Sequence, residues 1–299
     1  MEEELLSRNL PGVQVTRSKS HERTSELITD AEFILGDPIV VAPHLDRAEN
    51  LRWFQATYAG VDAIFQHSQR RNYLLTRVTG VFGMNMAEYV LAHILNRERR
   101  LPRLAAQQQR REWRVERYRR LRDLTLGIMG LGTIGREIAR LANGFGMVVW
   151  GLRRGASPVE GLDKTFSNGQ LDEFLAGPDY IVSVLPGTPE TTDLLSNGRL
   201  RACRPEAVLI SIGRGDIINE DSLARALDEG WITGAVLDVF PQEPLPADSP
   251  LWHQQGLTIT PHVAGLGSAT DVVDLFVANL ERYRAGQPLE HVVDWKRGY

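Results

Sequence analysis

The chain has 299 residues, a formal net charge of -4 and one cysteine, Cys203. That length suffices for two domains of ordinary size, the lone cysteine excludes an internal disulfide and any zinc cluster of thiolates, and the slight acidic excess gives no global attraction to nucleic acid or an anionic membrane. The acidic start Met1-Glu2-Glu3-Glu4-Leu5-Leu6 resembles neither a secretory signal nor a transit peptide, and no run approaches the ~20 apolar residues that span a bilayer, so a cytoplasmic protein without membrane, nucleic-acid or metal partners is expected.

In the first third, apolar runs at 13–16, 31–35, 51–56 and 73–78 read as strands of a smaller α/β domain. A helical pattern follows at 86–101 and continues into an arginine-rich stretch from Arg97 to Arg122, which Glu98, Glu112 and Glu116 interrupt and Asp123 follows. Charge runs of this kind normally face water, so a solvated helix face or a subunit arm is expected rather than a nucleic-acid site. From residue 124 onward, short apolar runs at 124–129, 147–152, 180–185, 207–212, 232–239 and 257–260 alternate with amphipathic stretches. This is the pattern of βαβ units in a doubly wound parallel sheet. Helices are predicted at 134–143 and 221–229, each closed by glycine, and at 271–284, the last crossing back to the first domain. The expected division is a substrate domain of residues 1–92 completed by 266–299, with a dinucleotide-binding domain at 93–265.

Gly130-Leu131-Gly132-Thr133-Ile134-Gly135 lies between a predicted strand and a predicted helix. In that setting the first glycine permits a tight turn and the second lets the backbone approach a pyrophosphate. The third lets helix and strand pack closely, and the helix N-terminus faces the phosphates. A NAD binder carries a carboxylate near the end of the next strand. Here that strand runs into Arg153-Arg154 and no carboxylate follows before Glu160. Two guanidinium groups suit a 2′-phosphate, so NADP is expected over NAD.

Three later strand ends carry an arginine, a carboxylate and an imidazole: Arg214 in Ser211-Ile212-Gly213-Arg214-Gly215-Asp216, Glu243 in Asp238-Val239-Phe240-Pro241-Gln242-Glu243-Pro244, and His262 in Thr260-Pro261-His262-Val263-Ala264-Gly265. The trio suits hydride transfer to a 2-keto acid. Arginine grips the substrate carboxylate and polarises the carbonyl, imidazole gives a proton to the developing alkoxide, and the carboxylate stabilises imidazolium. Around the string after the third early strand, Trp53 reads as a core residue and Tyr58 as a substrate contact, while Cys203 reads as an inert packed thiol.

The ordered set of these strings resembles the D-isomer-specific 2-hydroxyacid dehydrogenase family. It includes Val184-Leu185-Pro186 with Thr188 and Thr192, Thr57-Tyr58-Ala59-Gly60-Val61-Asp62, and Met86-Ala87-Glu88-Tyr89-Val90-Leu91. The paired arginines look most like its glyoxylate/hydroxypyruvate reductase branch. The resemblance implies a Rossmann-type sheet domain plus a smaller flavodoxin-like substrate domain, a homodimer whose arm includes Trp113, and Arg214, Glu243 and His262 as catalytic groups. It implies cofactor contacts at the glycine-rich turn, Arg153, Arg154, Leu185, Pro186, Thr192, Ile212, Gly213, Arg214, Asp238, His262 and Ala264. Backbone N–H groups around Ala59 and Gly60, with Tyr58 and Arg214, would hold the substrate, and a cleft would close between the domains. Two departures accompany it. Ser211 stands where many relatives carry asparagine. Relatives also begin with a strand that becomes central in the substrate-domain sheet, whereas Met1 here starts in the following helix, at 2–10, so that domain is expected to lack its first strand. The alternative in another class is a dinucleotide-sensing binding protein akin to the C-terminal-binding-protein corepressors.

Overall fold

The computed structural model describes residues 1–8, 10–18, 20–155, 157–296 and 298. The predicted alternation resolves into two parallel sheets, each inside its own compact unit: Met1–Val81 with Gly267–Tyr299, and Phe82–Leu266.

The first unit contains α1 (Glu2–Ser7), α2 (His21–Leu27), β1 (Phe33–Gly36), α3 (Pro38–Val41), β2 (Trp53–Ala56), α4 (Asp62–His67) and β3 (Leu74–Thr76). The strands pair in parallel in the order β1-β2-β3. Local chemistry sets the helix starts. Ser20 accepts from the Arg23 N–H, and Asp37 accepts from the Ile39 N–H with Pro38 opening the helix behind it. All four residues of β2 are buried, as a middle parallel strand requires. Trp53 stacks on Phe276 of the C-terminal helix Ala269–Arg284, ring centroids 4.9 Å apart, which ties the chain's return to this sheet. The Trp53 indole N–H donates to the Thr76 hydroxyl at 2.7 Å, which donates to the Gln55 amide oxygen at 2.7 Å, so each buried polar group in that row is paired. Phe54 packs on the other face with Val41, Leu45, Ile64 and Leu75.

Two expectations here are corrected. Helix α1 stops at Ser7 instead of running to residue 10, and Asn9 lies outside the described residues. The run 13–16 joins no strand. Its apolar side chains Val13 and Val15 still pack on the core of Leu5, Trp53 and Phe276, but neither sheet gives it a ladder partner among the described residues.

The second unit contains α5 (Gly83–Glu98), α6 (Leu101–Gln109), β4 (Thr125–Met129), α7 (Thr133–Gly144), β5 (Val148–Arg153), β6 (Lys164–Ser167), α8 (Leu171–Leu175), β7 (Tyr180–Ser183), β8 (Val208–Ser211), α9 (Glu220–Asp228), β9 (Gly234–Leu237) and β10 (Leu257–Ile259). All seven strands are parallel, in the order β6-β5-β4-β7-β8-β9-β10. The order reverses between β4 and β7, which opens a crevice at the carboxyl ends of those two strands. Strand β6 was not foreseen: it is a short edge strand whose only buried side chain is Phe166. The helix expected at 86–101 ends at Glu98, because Arg100 takes a left-handed φ of 55°, and a second helix with Pro102 in its first turn follows to Gln109. The domain joint expected at 92/93 lies at 81/82, and that expected at 265/266 lies at 266/267. The reason is α5, whose buried face of Met86, Ala87, Val90, Leu91 and Ile94 packs along α7 and draws residues 83–92 into the second unit.

The arginine-rich stretch is not uniformly solvated. After α6, Arg119 reaches back to Glu98 at 2.5 Å and Asp179 at 2.8 Å, and the Tyr180 hydroxyl donates to Glu98 at 2.7 Å. Burial pushes the Glu98 carboxyl up, but hydrogen bonds from Arg119 and Tyr180 outweigh it and hold it below the usual carboxylate range. Arg119→Ala takes the guanidinium from two buried carboxylates, leaving Glu98 with Tyr180 and Asp179 with the Thr125 N–H and Arg204, and we expect a loss of about 2 kcal/mol at neutral pH in urea unfolding, kept modest by those remaining partners and the partial exposure of Arg119. A depressed folded-state value means this stability is present above the unfolded carboxylate range near ~pH 4.3 and disappears as pH falls through the folded value. The penalty should therefore shrink on acidification, and one that is constant with pH would contradict this assignment. No helix among the described residues is long and apolar enough to cross a membrane, and no group of three or more His, Cys, Asp or Glu side chains among them could hold a metal ion. Cys203 is buried, which pushes its thiol up to about 12.

Candidate active site

At the end of β4 the glycine-rich turn has the shape that its sequence predicts. Gly130 sits at φ 100°, a region that L side chains rarely enter. A Cβ on Gly135 would stand 2.0 Å from the Gly130 carbonyl oxygen, so only glycine lets α7 start this close to the turn. Gly132 is the N-cap of α7 in an extended conformation and no side chain caps it. The first N–H groups of a twelve-residue helix therefore face outward, beside exposed Thr133 and half-buried Leu131 and Ile134, as a phosphate cradle needs. Strand β5, paired with β4, ends in Arg153, and Arg154 follows, both exposed. These residues fit a dinucleotide bearing a further phosphate.

Across the switch point, Leu185 and Pro186 leave β7 half-buried, and the Thr192 hydroxyl donates to Asp216 at 2.8 Å. Strand β8 ends at Ser211. Ile212 donates its N–H to the Ser183 carbonyl at 3.1 Å, and half-buried Arg214 donates to the Gly213 carbonyl at 2.8 Å.

The ends of β9 and β10 bring the carboxylate and the imidazole together. His262 Nδ1 lies 2.8 Å from Glu243 Oε2, and the other Glu243 oxygen accepts the Phe240 N–H at 2.9 Å, so the carboxylate is anchored before it meets the ring. Both side chains remain partly exposed, the imidazole at 55%, which leaves its Nε2 side open to a substrate. His262 holds a left-handed φ of 53°, costly for a non-glycine residue. Asp238, 1% exposed, compensates. Its carbonyl accepts the His262 N–H at 2.9 Å, Oδ1 accepts the Val263 N–H at 2.9 Å and the Thr260 hydroxyl at 2.5 Å, and Oδ2 accepts the Ala264 N–H at 2.8 Å. The carboxylate of Asp238, expected to touch the cofactor, is thus engaged by the His262 turn.

In the first unit, the loop after β2 presents exposed Tyr58 with half-buried Ala59 and Gly60. Arg77 donates to the Ala59 carbonyl at 3.2 Å and Val78 to the Tyr58 carbonyl at 3.3 Å, which leaves the loop shaped by backbone bonds from β3's end. Trp53 is buried in the core, as expected. Sequence reasoning missed Tyr89, His93 and Thr260. Tyr89 lies 2.6 Å from the Thr260 hydroxyl, and His93 packs on the Tyr89 ring with centroids 4.5 Å apart. Burial pushes the Tyr89 phenol up to about 12 and the His93 imidazole down. Tyr89 belongs to a family-like string, but no local pattern announces its contact with a residue 171 positions away.

The family model described as D-isomer specific 2-hydroxyacid dehydrogenase, NAD binding domain, matches residues 91–264. The chain belongs to that family. It is accordingly a nicotinamide-dependent oxidoreductase of the 2-hydroxyacid dehydrogenase class. A glyoxylate/hydroxypyruvate reductase A of Serratia proteamaculans is 34% identical over 268 residues, 86% of this chain and 85% of that protein. A D-isomer specific 2-hydroxyacid dehydrogenase family protein of Aeromonas salmonicida superposes with a TM-score of 0.93 at 43% identity, covering 98% of this chain and 94% of that one. An NADPH-dependent glyoxylate/hydroxypyruvate reductase of Sinorhizobium meliloti, solved with NADP and sulfate, gives 0.89 at 29% identity, covering 100% and 97%. In this 2-hydroxyacid dehydrogenase, Arg214, Glu243 and His262 all lie in the unit that the family model matches.

Proposed function

We propose that this dehydrogenase reduces a small 2-keto acid, glyoxylate or hydroxypyruvate, to the D-2-hydroxy acid with NADPH. The observation that carries the reading is the His262–Glu243 contact at 2.8 Å, an imidazole held by an anchored carboxylate at the end of a parallel sheet. The relatives named as glyoxylate/hydroxypyruvate reductases, one of them solved with NADP, support the substrate and the cofactor.

When bound, the reduced nicotinamide supplies the hydride, which adds to the carbonyl carbon of the keto acid. Arg214 pairs with the substrate carboxylate and draws electron density toward the carbonyl oxygen. His262 gives that oxygen its proton and leaves as neutral imidazole, with Glu243 stabilising the protonated ring beforehand. The N–H groups of Ala59 and Gly60, with Tyr58, receive the substrate carboxylate. The N-terminus of α7 and the Leu185-Pro186 and Ile212-Gly213 loops cradle the dinucleotide, and Arg153 and Arg154 take its 2′-phosphate.

The working form is a homodimer. Trp113 is 100% exposed and Val115 85% exposed on the segment after α6, while beside it a cavity of about 290 Å³ opens over Tyr180, Ile210 and Val236 under Arg97, Arg100 and Arg103. An apolar floor with a guanidinium rim suits an aromatic side chain from a second copy.

Purified protein mixed with NADPH and, in turn, glyoxylate, hydroxypyruvate and pyruvate should oxidise the cofactor, as followed by absorbance, faster with the first two than with pyruvate. The absence of turnover on all three would overturn the substrate assignment.

A further inference from the structure

The bonds around Asp238 can be given a direction. Its carboxylate has only acceptors to offer, so the Thr260 hydroxyl spends its one hydrogen on Asp238 Oδ1 at 2.5 Å. The Tyr89 hydroxyl, 2.6 Å from the Thr260 oxygen, must then donate to it. The result is an ordered row, Tyr89 to Thr260 to Asp238, that starts on α5 and ends at the carboxylate on which the His262 turn hangs. Three successive N–H groups of that turn, from His262, Val263 and Ala264, go to Asp238, and the first is shared with the Thr260 carbonyl at 3.1 Å.

We propose that Tyr89 and Thr260 are positioning residues for the reaction: by fixing the Asp238 carboxylate they hold the backbone of the His262 turn, and hence the imidazole, on Glu243. Neither residue touches the reacting atoms. Removing the Tyr89 hydroxyl leaves Thr260 without its donor, and removing the Thr260 hydroxyl leaves one lone pair of Asp238 exposed to a rearranged loop. In either case the turn gains freedom and His262 spends less time on the Glu243 carboxylate. The titratable groups facing the row are His93 from α5, Asp238 from the end of β9, and Glu243 from the loop after it.

The inference rests on His262 as proton donor, and the test separates the two. The Nδ1–H proton resonance of His262, identified by its loss in His262→Asn and so distinguished from His93, is followed by NMR in the protein saturated with NADPH, alongside kcat and KM for glyoxylate. Tyr89→Phe and Thr260→Val should each move and broaden that resonance as the His262–Glu243 bond is made less often, and lower kcat several-fold with KM little changed. The double variant should move them no further than one of them alone, because both act on a single row. Thr260→Ser keeps the hydroxyl and should return both readings toward the parent. A merely structural role would lower the fraction of active protein without moving the resonance of the folded fraction. An unmoved resonance in Tyr89→Phe, or equal movement in Thr260→Ser and Thr260→Val, overturns the inference. A moved resonance with an unchanged kcat supports the positioning row and instead overturns His262 as the proton donor.

Discussion

His262→Asn is expected to lower kcat for keto-acid reduction by about 10²–10⁴-fold, the usual worth of a positioned general acid, with NADPH affinity little changed. Glu243→Gln should behave differently. Glutamine keeps an acceptor oxygen that can answer either the Phe240 N–H or the His262 ring, but it carries no charge and cannot serve both as the carboxylate does at 2.9 and 2.8 Å. The ring is then held less firmly, so kcat should fall by about 10- to 100-fold, less than in His262→Asn, because the proton donor itself is kept. Steady-state kcat and KM of both variants with glyoxylate check this. An equal loss in the two variants would mean that the ring does nothing without the carboxylate, and an unchanged kcat in Glu243→Gln would remove Glu243 from the reaction.

Glu243 and His262 are separated by 19 residues, yet the sequence already placed both at strand ends, because a parallel sheet delivers every strand end to the same edge. The turn at Gly130 was equally legible, since its glycines answer to a steric need visible in the spacing. What could not be read were contacts between elements. Thr260 was quoted as part of the histidine string, but its link to Tyr89 exists only because α5 packs near the end of β10. Arg119 was counted in a solvated run because composition cannot show that two acidic residues, Glu98 and Asp179, are buried within its reach. The misplaced joint at residue 92 has the same origin: a helix between two domains carries apolar periodicity whichever one it packs on. The run 13–16 failed for the converse reason. Its composition is strand-like, but a strand is a property of two paired stretches of backbone, and this run packs by its side chains without pairing to either sheet among the described residues.

The other large effect is expected at the cofactor's 2′-phosphate. Arg153 ends β5 and Arg154 follows it, next to the glycine turn of β4, which is where the distal ribose of a dinucleotide lies in this fold. A hydrogen bond to a charged group is worth about 1.5–3 kcal/mol, so even one productive guanidinium–phosphate contact corresponds to about 10- to 150-fold in kcat/KM. Arg153→Ser with Arg154→Ser should therefore lower kcat/KM for NADPH by at least about 100-fold while leaving NADH within a few-fold, collapsing the preference between them. Glu190 provides a check of opposite sign. Hydrogen bonds from Thr188 and its own backbone, with a contribution from the charge of Arg154, hold its carboxyl below the usual range, so it stays ionised within the field of that arginine. An anion there competes with the phosphate, and Glu190→Gln should lower KM for NADPH without helping NADH. If the double arginine variant instead weakened both cofactors equally, the arginines would be acting on the pyrophosphate or on folding, and the preference for NADPH would need another source.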